Sequence, residues 1–219
     1  MLLSWSSGKD SAWALHVLRQ DPSVEVVGLL TTLNGASERV AMHAVRARLL
    51  EAQAAAVGLP LARVDLPFPC GDADYERLMG AEVRRQIAAG VEAIAFGDLF
   101  LEDIRRYREE KLAGLPLEPI FPLWGRDTTA LAREMMAAGT RAHLTSVDPA
   151  QVPRELAGRA YDAALLEALP ASADPCGENG EFHTFVWDGP QFRAPIPVVP
   201  GEVVERDGFV YADLLPAQG

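Results

Sequence analysis

Hydrophobic positions along this chain switch repeatedly between two periods, and the alternation sets the expected architecture. Residues 1–5 form a short apolar run of strand length. Residues 12–18 carry apolar side chains at helical spacing until Pro22 closes the segment. Residues 24–33 read as a buried strand ended by the turn pair Asn34-Gly35. Residues 40–57 read as a helix, with Met42, Val45, Leu49 and Gln53 along one face and Gly58-Leu59-Pro60 as the stop. A strand is expected over 61–66, a helix over 72–89 ending at Gly90, and an apolar strand over 91–96. A charged helix over 101–113 stops at Gly114, and residues 118–124 supply a last strand. Such alternation predicts an α/β fold, a doubly wound parallel sheet with helices on both faces. Ligands of such sheets bind outside the carboxyl ends of the strands. Residues 6–11, Thr31-Thr32 and Gly97-Asp98 fall on that edge.

A second region follows. Asp127 is a good N-cap for a helix over 128–138, Gly139 ends it, and 141–147 reads as a strand. Beyond Pro149 the chain is richer in proline, glycine and short β-like runs. The expected division is a nucleotide-type domain over 1–124 and a smaller α+β C-terminal domain over 125–219.

Composition narrows the class. The 219 residues are 49% hydrophobic, and no apolar run approaches a membrane span, so a soluble globular protein is expected. A first strand that begins at Met1 leaves no room for a signal peptide, so the cytoplasm is the expected compartment. The net charge of −11 argues against a nucleic-acid footprint, which needs basic patches, but leaves protein partners open. Cys70 and Cys176 each sit in a Pro-Cys-Gly-acid setting and are expected as free thiols.

The chemistry concentrates in two places. Ser6-Ser7-Gly8-Lys9-Asp10-Ser11 joins the first strand to the first helix, where free backbone amides and the positive end of the helix dipole favour an anion. Gly8 permits close backbone approach, Ser6, Ser7 and Ser11 carry hydroxyls, Lys9 offers a point charge, and Asp10 can reach a metal. Lysine occurs only at Lys9 and Lys111 in an otherwise arginine-based chain. The second place is Cys176-Gly177-Glu178-Asn179-Gly180-Glu181-Phe182-His183-Thr184, whose Glu178, Glu181 and His183 could orient an amine or move protons. A lone histidine there makes a poor zinc site. A hairpin with a polar turn is the plainer alternative. His16, His43 and His143 read as packing or surface histidines, and Trp5 and Trp13 as core. Trp124 and Arg126 either brace the domain junction or touch substrate.

The first turn resembles the pyrophosphatase loop, Ser-Gly-Gly-Lys-Asp-Ser, of ATP enzymes that cleave between the α- and β-phosphates. Ser7 replaces the first glycine, so that position is expected to have ordinary backbone angles. With Phe96-Gly97-Asp98-Leu99, Pro122-Leu123-Trp124-Gly125-Arg126-Asp127, Gly158-Arg159, the 176–184 segment and Asp188-Gly189-Pro190, the chain resembles the diphthine–ammonia ligase family nearly end to end. That family belongs to the adenine-nucleotide α-hydrolase-like enzymes. The resemblance implies a Rossmann-like nucleotide domain, a smaller substrate domain and ATP-driven amide formation. A carboxylate attacks the α-phosphate, pyrophosphate leaves, and ammonia displaces AMP; the family's acceptor is diphthine, a modified histidine of translation elongation factor 2. It further implies ATP contacts at Ser6, Ser7, Gly8, Lys9, Asp10, Ser11, Thr32 and Gly97, and magnesium at Asp10 and Asp98. Catalytic roles fall to Lys9, Asp98, Glu178, Glu181 and His183, with the 178–184 segment serving acceptor or ammonia. The reading taken is amidation of a carboxylate acceptor, its identity open, with a homodimer admitted. Two rivals are a tRNA sulfur-transfer enzyme, relaying sulfur through Cys70 and Cys176, and a non-catalytic adenine-nucleotide-binding module.

Overall fold

The computed structural model describes residues 1–35, 39–40 and 45–217. Strands β1 (Leu2–Ser4), β2 (Gly28–Asn34), β4 (Leu61–Leu66), β5 (Ala93–Ala95) and β6 (Glu118–Ile120) pair in parallel in the spatial order β4-β2-β1-β5-β6. Helices α1 (Lys9–Leu18), α2 (Ala47–Val57), α3 (Asp72–Ala88) and α4 (Glu102–Leu112) connect them. Side chains on successive residues alternate between faces. Leu3, Leu29 and Ala95 therefore enter one buried cluster with α1 and α2, while Leu2, Leu30 and Ile94 enter another on the opposite face. Both faces are covered, which is why these strands read as continuous apolar runs.

The chain then forms α5 (Thr128–Ala137), capped by the Asp127 carboxylate accepting from the Ala130 amide at 2.7 Å, and α6 (Ala163–Ala168). Strands β7 (Arg141–Val147), β8 (Phe182–Asp188), β9 (Val198–Arg206) and β10 (Phe209–Pro216) make an antiparallel sheet in the order β8-β7-β10-β9. Leu144, Phe182, Phe185 and Val210 of this sheet share one continuous apolar cluster with Leu3, Leu15 and Leu50 of the parallel layer. The second sheet thus covers the α1–α2 side of the first.

Several elements differ from expectation, among them the strand read over 24–33, which begins at Gly28. The helix read over 40–57 begins only at Ala47, and β3 (Arg39–Val40) pairs antiparallel with the end of β2 instead. The cause is tertiary: Arg39 and Arg46 both converge on the Asp213 carboxylate of β10, at 3.0 Å from Arg39 Nη1 and 3.1 Å from Arg46 Nε. Two guanidiniums on one acid across two layers anchor Arg39 and Arg46 to β10. Met42 and His43 lie outside the described residues. The strand read over 118–124 stops at Ile120, and 122–125 turn. No helix among the described residues is long and apolar enough to cross a membrane.

Candidate active site

The turn of residues 6–8 leaves β1 at its carboxyl end and enters α1. Against expectation, Ser7 adopts the left-handed region, φ 74°, which costs a non-glycine residue on the order of 1–3 kcal/mol. The strain is held from outside the turn. The Ser7 carbonyl accepts from the Val186 amide of β8 at 3.1 Å and from Gln53 Nε2 at 3.0 Å. Gln53, fully buried on α2, also accepts from Trp5 Nε1 at 2.8 Å and donates to the Val186 carbonyl at 2.6 Å. Its polar side chain on an otherwise apolar stripe was the sequence signal for this role.

The same convergence fixes Lys9. No local side chain caps α1; its first amide, that of Lys9, is capped by Thr184 Oγ1 of β8 at 3.1 Å. The Lys9 ammonium is buried, 2.8 Å from Asp10 Oδ2, and donates to the Cys176 carbonyl. The rings of Tyr161 and Phe182 flank it at 5.5 and 5.4 Å. Burial, the largest influence, would depress its pKa, but the Asp10 carboxylate together with Cys176 and Glu178 outweighs it and the net shift is upward, so the ammonium stays charged. Lys9 is thus the link between the first turn and the 174–184 segment.

That segment organises itself. Asp174 Oδ2 accepts from the amides of Cys176 and Glu178 at 3.1 and 3.0 Å. Glu181 Oε1 accepts from the Asp174 amide at 2.7 Å and from Asn179 Nδ2 at 3.0 Å. At Gly177, φ 70°, a Cβ would stand 2.8 Å from the Phe182 carbonyl oxygen, so only glycine fits. The Cys176 thiol donates to the Thr128 carbonyl at 3.4 Å, and burial pushes its pKa up to about 12. It is a packing thiol, far from the lowered pKa that a sulfur relay needs. Cys70 is likewise a free thiol.

Both constellations open onto one cavity of 630 Å³, a size suited to a small organic ligand. Of the residues singled out by sequence, Ser6, Lys9, Asp10, Ser11, Thr32, Gly97, Asp98, Glu178 and His183 line it. Ser7, Gly8 and Glu181 are buried behind its wall. Their contacts shape the turn and the loop rather than the cavity surface.

Three carboxylates meet here. Glu178 Oε1 accepts from the Leu99 amide at 2.7 Å, tying the second segment to the end of β5. Burial lifts Glu178 to about 7; the Leu99 amide opposes the shift and Asp10 adds to it. Burial also raises Asp98, with Arg108 opposing. His183 is pushed down to about 4 by burial and by Lys9, so its imidazole is neutral at pH 7. Asp10 Oδ1 and Asp98 Oδ2 are buried without a hydrogen-bond partner among the described residues.

Gly97 lets the end of β5 meet the first turn. A Cβ built there would lie 3.0 Å from both the Asp10 carbonyl carbon and the Ser11 nitrogen, backbone atoms that cannot swing aside. Gly97→Ala should destabilise the fold by about 1–3 kcal/mol, the usual range for overpacking, and weaken nucleotide binding. Denaturant unfolding and ATP calorimetry check this; unchanged values in both would remove Gly97 from the turn's support.

Residues 1–113 match the diphthamide synthase N-terminal domain, and residues 127–212 match the diphthamide synthase C-terminal domain. The chain is 33% identical over 128 residues to diphthine–ammonia ligase of Homo sapiens, covering 56% of this chain and 48% of that protein. To the Danio rerio ligase it is 32% identical over 128 residues, covering 56% of this chain and 50% of the relative. To the Schizosaccharomyces pombe ligase it is 32% identical over 121 residues, covering 53% of this chain and 20% of the relative. The matched stretch therefore spans about half the length of the vertebrate relatives, and less of the yeast one.

Proposed function

The chain belongs to the diphthamide synthase family, and on that premise we propose that it is an ATP-dependent ligase that joins ammonia to a carboxylate. An oxygen of the acceptor carboxylate attacks the α-phosphorus of ATP, the bond to the bridging oxygen of the β-phosphate breaks, and pyrophosphate leaves. Ammonia nitrogen then attacks the acyl carbon, the acyl–oxygen bond breaks, AMP leaves, and the nitrogen gives up a proton. The observation that carries the reading is the position of Glu178. A carboxyl group lifted to about 7 shares one cavity with a phosphate-type turn, and a base of that acidity is matched to proton transfer near neutral pH.

The residues take distinct parts. The first turn of α1, with the hydroxyls of Ser6 and Ser11, receives the phosphates. Lys9 keeps the loop of Glu178 docked on that turn. Glu178 takes the proton from the attacking nitrogen, and neutral His183 supplies a hydrogen-bonding wall. Among the described residues no cluster of three His, Cys, Asp or Glu side chains forms a metal cage. The Asp10 and Asp98 oxygens that lack a hydrogen-bond partner among the described residues do suit a magnesium ion that arrives with the polyphosphate and is held by one or two carboxylates. When bound, it supplies neutralisation of phosphate charge.

The protein with magnesium ATP, ammonium and fractionated cell extract should accumulate AMP and pyrophosphate in an ammonium-dependent manner. ADP and phosphate instead, or no nucleotide turnover with any fraction, would defeat the ligase reading.

A further inference from the structure

Arg108 of α4 lines the same cavity, in a loose ion pair with Asp98. The other basic side chains lining it are engaged: Lys9 by Asp10 and the Cys176 carbonyl, Lys111 by Glu76 at 2.5 Å. The Arg108 guanidinium lies over the Phe96 ring, 5.1 Å from its centre. Its Nε is buried with no hydrogen-bond partner among the described residues. The facing anion, Asp98 Oδ2, is 3.7 Å away, within ion-pair range but past hydrogen-bond distance. An arginine stacked on an aromatic ring keeps its planar fork oriented, and that fork matches a carboxylate in two parallel bonds. Around it the cavity wall between α3 and α4 carries Tyr75, Met79, Val83 and Leu115, with the charges of Glu76 and Lys111 paired to each other.

Resting on the ligase reading, we infer that Arg108 grips the acceptor's carboxylate and that the apolar side chains of the α3–α4 wall take its stem, so the acceptor carries its carboxylate on a stem with an apolar stretch. Two observations favour this placement. Asp10, Asp98 and Glu178 would repel an incoming carboxylate, and an arginine beside Asp98 is the group that offsets them. Gly97 packs on the backbone of Asp10 and Ser11, so Asp98 and its partner Arg108 stand next to the turn that holds the phosphates.

The test uses the full chain with carbon-13 methyl-labelled methionine. The probes are 3-phenylpropanoate, hexanoate and their amides. The acids should shift the Met79 methyl signal, identified by its loss in Met79→Leu, and the amides should not. Arg108→Gln should weaken binding of the acids by at least about tenfold, as loss of a charged hydrogen bond implies, and leave ATP affinity within about twofold. Arg108→Lys, which keeps the charge without the fork, should fall between. The inference is overturned by equal binding of acid and amide, by a silent Met79 with both acids, by unchanged affinity in Arg108→Gln, or by loss of ATP affinity in that variant. None of these readouts involves nucleotide turnover, so the ligase reading can fail while Arg108 stands, and the reverse.

Discussion

Lys9→Met should lower the unfolding free energy by about 3–5 kcal/mol, the cost of leaving one partner of a buried ion pair uncompensated. The substitution keeps the apolar stem between Tyr161 and Phe182 but removes the charge that faces Asp10 and the donor to the Cys176 carbonyl. ATP affinity should fall as well, because the turn and the 174–184 segment hold each other. Asp10→Asn in the same chain neutralises the stranded carboxylate and should recover part of the stability but not the docking. Denaturant unfolding of wild type, both single variants and the double variant gives the coupling directly. An unchanged unfolding midpoint in Lys9→Met would show that the ammonium is not the link between the two segments.

Glu178→Gln should slow ammonium-dependent AMP formation by roughly 10²–10⁴-fold, the worth of general-base assistance, with ATP affinity nearly unchanged. The amide oxygen can still accept from the Leu99 amide, so the local geometry survives while the base is lost. With Glu178 lifted to about 7, wild-type turnover should rise with pH through about 7, where the carboxylate forms, and the variant should lack that limb. Stability should move the other way. A carboxyl whose folded pKa lies above its usual 4.5 binds more protons in the native state, so its stabilising contribution is complete below about 4.5 and is lost as pH rises through about 7. Glu178→Gln is therefore expected to be more stable than wild type at pH 8, on the order of 2 kcal/mol, and to lose that advantage at pH 5. A wild-type pH profile flat between 6 and 8, or a variant as active as wild type, would take the proton-transfer role from Glu178.

Particular elements show what a single sequence carries. The strands at 61–66 and 141–147 match the expected bounds, and the Asp127 cap was read from one carboxylate before a periodic run. These are short-range effects: side-chain alternation, helical spacing and caps act over a few residues. The 40–57 segment failed for the opposite reason. Its pattern is helical throughout, but Asp213 of β10, more than 160 residues away, claims Arg39 and Arg46. Gln53 was placed on the right helix and face, yet nothing local says that it would bind Trp5, Ser7 and Val186 together.

The sequence by itself determined the alternating α/β order, the two polar, glycine-bearing segments and the glycine at position 97, because each depends on neighbours along the chain. Tertiary structure alone decided that the two segments form one site, since Lys9 and Cys176 are 167 positions apart. It also decided that Ser7 is left-handed, through donors on β8 and α2, and that Lys9 turns inward to a carboxylate and a carbonyl. The raised pKa of Glu178 belongs to the same class. Desolvation is set by what packs around a group, and packing between distant segments leaves no periodic trace in the sequence.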